Sequence, residues 1–475
     1  MYELEGTLKH HFRLAFAVLG FCLASKTACA ASLQDVQARA DKGVASAETE
    51  LGAFYANGQG VPQDYAKALA WYQKAADQGY AGAEYYLGVA YDNGQAVPQD
   101  YAKAVYWYQK AAAQGFAGAQ NNLGFHYKAG LGVAQNYAKA ADMFEKAARQ
   151  GDPAGETNLG ALLDAGQGVA QNYTRAAYWY AKAAKQDDSV AQSKLGSDYR
   201  NGQGVPQDYA KAAYWYKKAV TQGDPFTENK LGDLYNNGHG LKQDYAQAAY
   251  WYEKSAEQGN EDAQGSLGNL YDTGHGVPQD YSKAAYWYGK AANQGNAAAA
   301  TNLGDLYSSG HGVPKDYNQV AHWYELAANQ GNAVAETNLG VLYASGQGVP
   351  QDYAKAIYWC EKAAKQGDPV AENDMGIVYF HGEGVQPDNK SAASWFQKAA
   401  DQGYAQAQMS LGLLYENALG VPQDDKLAYM WSDLAVLQGY APATASRDAI
   451  AAKMTPADLT AAQKLVADWR KKKTN

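Results

Sequence analysis

Residues 51–86 read LGAFYANGQGVPQDYAKALAWYQKAADQGYAGAEYY, and at Leu87-Gly88 the same pattern begins again. The Leu-Gly pair returns at Leu123, Leu159, Leu195, Leu231, Leu267, Leu303, Leu339 and Leu411, and Met375-Gly376 fills the one gap, always 36 residues on. Eleven copies in one phase, with no insertion or deletion, mark a tandem array, because a single globular core has no reason to repeat at a fixed period. The composition agrees: 49 Gly and 39 Tyr against 13 Pro reflect one unit copied many times.

Within the first copy Ala47, Leu51 and Tyr55 recur at every fourth residue and so share one face of a helix, here called A. Gly58 stands just past its end, where a residue free to adopt positive φ stops a helix, and Gly60-Val61-Pro62 continues the break. Asp64 is placed to cap a second helix, B, whose apolar stripe is Ala68, Trp71, Tyr72, Ala75 and Ala76. Gly79 closes the unit. Trp holds one B-helix position in ten of the eleven copies, with Met143 the exception, which predicts a bulky core anchor there. The Gly after each Leu, Gly52 through Gly412, never varies, although a helical glycine costs about 1 kcal/mol against alanine. Close approach of a neighbouring helix is the expected reason.

A lone hairpin leaves such stripes exposed, so copies must stack around a continuous core, and the expected product is a superhelix with a concave groove. Residues 33–42, ending at Gly43, read as a leftover B helix. A last helix opening at Thr455-Pro456, with Asp458 as capping partner, is expected to present Leu459, Leu465, Val466 and Trp469 to the final copy. The motifs LG-x-x-Y, G-x-GV-x-x-DY-x-KA and WY-x-KAA-x-QG together resemble the Sel1-like repeat family, relatives of tetratricopeptide repeats. That resemblance implies an all-α, right-handed α/α superhelical solenoid of eleven 36-residue Sel1-like helical hairpins with terminal caps. It also implies an adaptor for proteins or peptides, commonly in bacterial envelope assembly, signalling or host interaction. Some secreted members carry a disulfide in each repeat and a few are assigned β-lactam hydrolysis; this chain has no repeat cysteines and departs from them.

The first thirty residues stand apart from the repeat. Lys9 and Arg13 precede an apolar run from Leu14 to Ala24, and Ala28-Cys29-Ala30 offers the small residues at which a signal peptidase cuts, so cleavage is expected after Ala30. The apolar run is too short for a membrane span, which takes about twenty residues. The expected layout is a signal peptide at 1–30, an N-terminal capping helix and the start of the first repeat at 31–50, eleven repeats at 51–446, and a C-terminal capping helix with a basic tail at 447–475. Cleavage would remove three basic and two acidic groups and leave the chain one unit more negative than −9. Such acidity, with Arg470–Lys473 as a solvated basic tail, argues against nucleic acid or an anionic membrane as the main partner. Of three cysteines only Cys360 would remain, at a position that is Tyr in most copies, so it reads as core. An exported monomer, periplasmic or secreted, is the expectation.

No catalytic or cofactor site assembles itself from the sequence. It has no Gly-x-Ser-x-Gly elbow, no His-Glu-x-x-His, no phosphate loop ending in Lys-Ser/Thr and no Ser-x-x-Lys pair. His239, His275 and His311 share a Gly-His-Gly loop position in three consecutive copies. Packed helices lie about 8–10 Å apart, whereas a metal holds its ligands about 2 Å away, so no metal is expected. These histidines, like Gln59, Gln167 and Gln347 at the same position, read as hydrogen-bonding loop residues. The recurrent Asp of the GVPQD segment reads as a helix cap, since a catalytic acid needs no eleven equivalents.

Recognition is sought instead at A-helix positions that change between copies. By the resemblance to tetratricopeptide geometry, the positions two before, two after and five after each Leu line the groove. In copies five to eight these give Ser197, Arg200, Asn229, Asp233, Asn236, Asn269, Asp272 and Asp305 as the expected partner-binding residues. Toward the ends, the position two after the Leu is Val89, Phe125, Val341, Ile377 and Leu413, so a polar, largely acidic strip suited to a basic or amide-rich peptide is expected in the middle. A secreted host-interaction factor has the same physics and a different address. A cell-wall or β-lactam hydrolase would need a nucleophile motif that the chain does not show.

Overall fold

The computed structural model describes residues 32–474, and among them are 25 α-helices and no strand. The export segment expected at residues 1–30 and its cleavage site lie outside the described residues. The helices alternate A and B through the array, an all-α solenoid in which most A and B helices are 13 residues long. The chain forms two compact units, one ending at Asp208 and one beginning at Tyr209.

The local grammar of a copy is clear in the pair Ala45–Asn57 and Tyr65–Asp77. Gly58 closes the A helix at φ +68°, the left-handed conformation in which its N–H donates back to the Phe54 carbonyl. The Gln63 amide then donates to the Ala56 carbonyl at 2.8 Å, satisfying another acceptor at the end of the A helix. One residue later the Asp64 carboxylate accepts from the Lys67 N–H at 3.0 Å and opens the B helix. Gln-Asp in the GVPQD segment therefore ends one helix and starts the next.

The invariant glycine has a definite cause. A Cβ on Gly52 would lie 2.6 Å from the Tyr72 ring, and one on Gly232 2.6 Å from the Tyr252 ring. In most copies the aromatic ring that follows the Trp position lies across the glycine, so the A and B helices close on each other with a flat ring between them; Cys360 and Ser432 take that place opposite Gly340 and Gly412. For most copies this corrects the expectation that the Trp is the deep anchor: Tyr252 is 3% exposed, whereas Trp251 is only half-buried; Trp359 and Trp431 alone are buried as expected. The Trp has another task. In the second unit Ala248, Tyr252 and Ala256 of one B helix pack with Ala263, Leu267 and Leu270 of the next A helix, and Trp287 of the following B helix lies against that cluster. In the first unit Trp107 stands in the same way against Tyr72, Ala75, Ala83 and Leu87. The Trp thus links consecutive copies, while the Tyr closes its own hairpin.

A buried polar bond recurs beside these clusters. The Gln78 amide donates to Glu48 at 2.7 Å, Gln114 to Glu84 at 2.7 Å, Gln258 to Glu228 at 2.7 Å and Gln402 to Glu372 at 2.8 Å, each across 30 residues. Where the acceptor is Gln120, Gln264 or Gln408, the same donation persists at 2.7 Å from Gln150, Gln294 and Gln438. Burial raises the carboxyl pKa of Glu228 and Glu372.

Both ends are sealed. Leu33–Ala40 begins with a reciprocal Ser32–Asp35 cap, and its Val36 and Ala40 pack on Ala47 and Leu51. At the other end the repeat gives way to two helices, Ala443–Lys453 and Pro456–Thr474, so the expected boundary at 447 falls inside a helix. Ala443–Lys453 stands where a twelfth A helix would begin, and its Ile450 is buried with Ala428, Tyr429 and Ala462. Val466 and Trp469 cover the last B helix, with Trp469 edge-on to Trp431 at 6.1 Å, whereas Leu465, expected to face inward, is exposed.

Candidate binding surface

The polar residues expected to bind a partner fall on three successive A helices of the second unit, Pro225–Asn237, Glu261–Thr273 and Ala297–Ser309, and on one helix of the first, Ser189–Asn201. Across the three helices of the second unit lies a cavity of about 390 Å³ lined by Asn229, Asp233, Asn236 and Asn269 together with Ser266 and Asn302. Four of the eight expected residues are thus brought into one site. Asn229 is more deeply placed than expected, at 1% exposure, and its side-chain oxygen has no hydrogen-bond donor within the protein.

Three of the expected carboxylates, of which Asp233 alone lines the cavity, are anchored by tyrosine hydroxyls. The Tyr252 hydroxyl donates to Asp233 at 3.0 Å, Tyr288 to Asp272 at 3.3 Å, and Tyr324 to Asp305. Each phenol belongs to the ring that fills the glycine notch, so one side chain both closes the hairpin and holds a surface carboxylate. Burial and the adjacent carboxylate push all three phenol pKa values well up, keeping the O–H as a donor. Burial also holds the Asp305 carboxyl above its ordinary value. Asp233 has a second neighbour, Lys230, at 3.5 Å. In the first unit the Ser197 hydroxyl donates to the Ser193 carbonyl at 3.1 Å, and Arg200 is half-buried.

The model of the Sel1 repeat matches residues 45–80, 81–116, 117–152, 153–188, 189–224, 225–260, 261–296, 297–332, 333–368, 369–404 and 405–440 without a break. The chain belongs to the Sel1 repeat family. The boundaries of these Sel1 copies fall six residues before each Leu-Gly pair, where the A helices begin. Among solved structures it is similar to c5321, described as a protective antigen present in uropathogenic Escherichia coli strains displaying an SLR fold. The two are 39% identical over 92% of this chain and 94% of that one, with a TM-score of 0.85. A Sel1 repeat protein from Oxalobacter formigenes is 34% identical over 65% of this chain and 90% of its own, with a TM-score of 0.48. The search of curated proteins gave no match.

Other features of this Sel1 chain that invited a chemical reading have structural explanations. His239, His275 and His311 stack on Tyr209, Tyr245 and Tyr281 with ring centroids 4.6–4.9 Å apart, so ring packing accounts for them better than the expected loop hydrogen bonds. Among the described residues no group of three or more His, Cys, Asp or Glu is placed to hold a metal. Cys360 takes the place of the notch tyrosine opposite Gly340, is buried, and has its thiol pKa pushed up to about 12 by that burial. No helix of the described residues is long and apolar enough to cross a membrane.

Sequence reasoning missed Ser266, Asn302 and the tyrosine hydroxyls as parts of the site. The first two hold the position immediately before the Leu, which also varies between copies (Asn122, Lys194, Lys230, Asp374) and could have been included on that signal.

Proposed function

We propose that this Sel1 repeat protein is an exported scaffold that binds a partner protein through an extended peptide laid along the A helices of copies six to eight. Sel1 repeat proteins are generally scaffolds for protein–protein interaction, which gives the class. The observation that carries the finer reading is the cavity whose deepest residue, Asn229, offers an unpaired acceptor beneath a rim of Asp233, Asn236 and Asn269. Peptide carbonyls accept from the Asn236 and Asn269 amides, and a shift of the buried Asn229 side chain would open its oxygen to a peptide N–H. The tyrosine-anchored carboxylates hold their positions before a partner arrives, so little ordering is left for binding. Basic residues in the partner would meet a negative rim, which acts more on association rate than on affinity.

Export rests on the apolar run and Ala28-Cys29-Ala30 site, and is tested by the intact mass of protein recovered from the cell envelope or medium. A species retaining residues 1–30 would defeat it. For the groove, Asp233, Asp272 and Asp305 are changed together to Asn, which keeps an acceptor for each tyrosine while removing the charge. Partners captured from envelope extract should bind this variant more weakly and with less salt dependence, at unchanged melting. Unaltered affinity and salt dependence would remove this surface from consideration. A second reading, a secreted factor that meets a host, draws on the protective-antigen description of the 39%-identical protein and differs only in where the partner is found.

A further inference from the structure

Gly265 lies inside the helix Glu261–Thr273, two residues before Leu267, and it is a glycine without a steric cause. Three residues on, Gly268 is required, since a Cβ there would stand 2.6 Å from the Tyr288 ring. At Gly265 an added Cβ would meet nothing closer than the amide nitrogen of Asn296, at 3.7 Å. Every other copy carries a side chain at this position, Asn229 and Thr301 in the two neighbouring ones. A glycine is the weaker helix former where a side chain would fit. What it leaves is a gap in the A-helix surface, and that gap belongs to the cavity described above.

Two carboxamides border the gap. Asn296 accepts from the Ala299 N–H through its Oδ1 at 2.9 Å, which leaves its Nδ2 toward Gly265. On the preceding A helix stands Asn229, 1% exposed, with its Oδ1 unpartnered. The first unit shows what completes such an acceptor. There Asn121, at the repeat position of Asn229, accepts at 2.9 Å from the carboxamide of Asn158 on the next A helix. The residue equivalent to Asn158 beside Asn229 is Ser266, whose side chain stops at a hydroxyl. Asn373 repeats this pairing with Ser410 and its Oδ1 is likewise unpartnered, but there Met409 holds the place of Gly265. Gly265 alone sets an open position beside such an acceptor.

Building on the peptide reading above, we propose that the gap takes one carboxamide side chain, Gln or Asn, of the partner peptide. Its N–H stands in for that of Asn158 and donates to Asn229, while its oxygen accepts from Asn296. Asn229 is enclosed, so its terminal torsion, which is broad for a carboxamide, must first turn toward the gap. A carboxamide carries both donor and acceptor and matches Asn229 with either edge forward, whereas an ammonium or a carboxylate matches one edge alone. The nearby charges do not call for a charged ligand: Asp233 has the Tyr252 hydroxyl at 3.0 Å and Lys230 at 3.5 Å, and Asp262 is exposed to water.

The test titrates the whole chain with Gly-Gly-X-Gly-Gly pentapeptides, blocked as acetyl and N-methylamide, in which X is Gln, Asn, Glu, Lys or Met. N-acetylglucosamine, whose acetamido group has a single N–H, serves as a comparator, and binding is followed by ligand-observed NMR. The Gln or the Asn peptide should bind about tenfold tighter than the Glu, Lys and Met peptides. Two substitutions close the site in different ways. Gly265→Thr places the side chain of Thr301 in the gap, and Ser266→Asn supplies the missing carboxamide from within, as Asn158 does. Each should weaken the preferred peptide about tenfold or more, with melting unchanged or raised. Equal binding of all five peptides, undiminished by either substitution, would remove the pocket and leave the groove reading standing. A carboxamide preference that persists while captured partners ignore the Asp233→Asn, Asp272→Asn, Asp305→Asn variant would uphold the pocket and remove the groove reading alone. Absence of binding by every peptide, or tighter binding of N-acetylglucosamine, would overturn the proposal.

Discussion

Asp198 offers the sharpest test of how this core is built. Its position is Leu162 one copy earlier and Leu234, Leu270 and Leu306 in the copies that follow, each of them buried. Asp198 is itself only 5% exposed, and one of its carboxylate oxygens has no donor. Burial, with a smaller push from the Asp164 charge and an opposing pull from Lys194, raises its pKa from 3.8 to about 7. At roughly 1.4 kcal/mol per pH unit, keeping it ionised in the fold costs about 4 kcal/mol at most, and local relaxation should leave 2–4 kcal/mol. The sign follows from proton counting. Between 3.8 and about 7 the folded chain binds more protons here than the unfolded one, so this group makes stability fall as pH rises through that window and has no further effect above it. Asp198→Asn mimics the protonated acid. It should match the parent near pH 4 and exceed it at pH 8 by about 2–4 kcal/mol. Asp198→Leu should be more stable still at pH 8, since it adds apolar burial. The measurement is hydrogen exchange of the Ser189–Asn201 amides at both pH values, because local exchange reads one copy even if the array does not melt as a single transition. An Asn variant no more stable than the parent at pH 8, or a difference unchanged between the two pH values, would refute the reasoning.

Three further outcomes are expected. Tyr252→Ala should cost about 3–5 kcal/mol and Trp251→Ala clearly less, because the tyrosine is the buried closure of its hairpin; urea melts giving the reverse order would restore the Trp as anchor. Deleting residues 261–296, one whole copy, should leave a helical, soluble chain, whereas deleting 261–278 should not, because repeat stability is close to a sum of unit and interface contributions; equal circular dichroism and melting for the two would contradict the register. The Cys360 thiol, buried and pushed up to about 12, should resist a thiol-specific disulfide reagent at pH 8 until denaturant is added, and rapid labelling of native protein would show the hairpin opening there.

The period, the helix pairs and their caps were all legible because 36 is a whole number of structural units and Gly, Pro and Asp punctuate it at fixed places. Which of two neighbouring aromatics goes deepest was not legible. Trp251 and Tyr252 are one residue apart, about 100° around a helix, and both fit a broad apolar stripe; only the closeness of the A helix at Gly232 selects the tyrosine. The acidic strip was legible as a change of character in mid-array. Its anchoring was not, because Tyr252 and Tyr324 reach a carboxylate 19 residues back while Tyr288 reaches one 16 back, one helical turn further along the A helix. No fixed spacing in the sequence announces a hydroxyl that can serve either turn.

The Gln that bridges the A and B helices in most copies also donates to two kinds of partner. Its amide donates equally well to Glu228 in one copy and to Gln264 in the next, because carboxylate and carboxamide have the same shape. A single Glu-to-Gln exchange therefore changes buried charge while keeping the same 2.7 Å bond. Copies with Glu228 or Glu372, whose raised pKa makes them lose stability as pH rises, sit in one chain with copies that are indifferent to it. Acid or alkaline tolerance in such an array is a local trait, heritable one hairpin at a time, and a shuffled or recombined array would carry each copy's pH response with it.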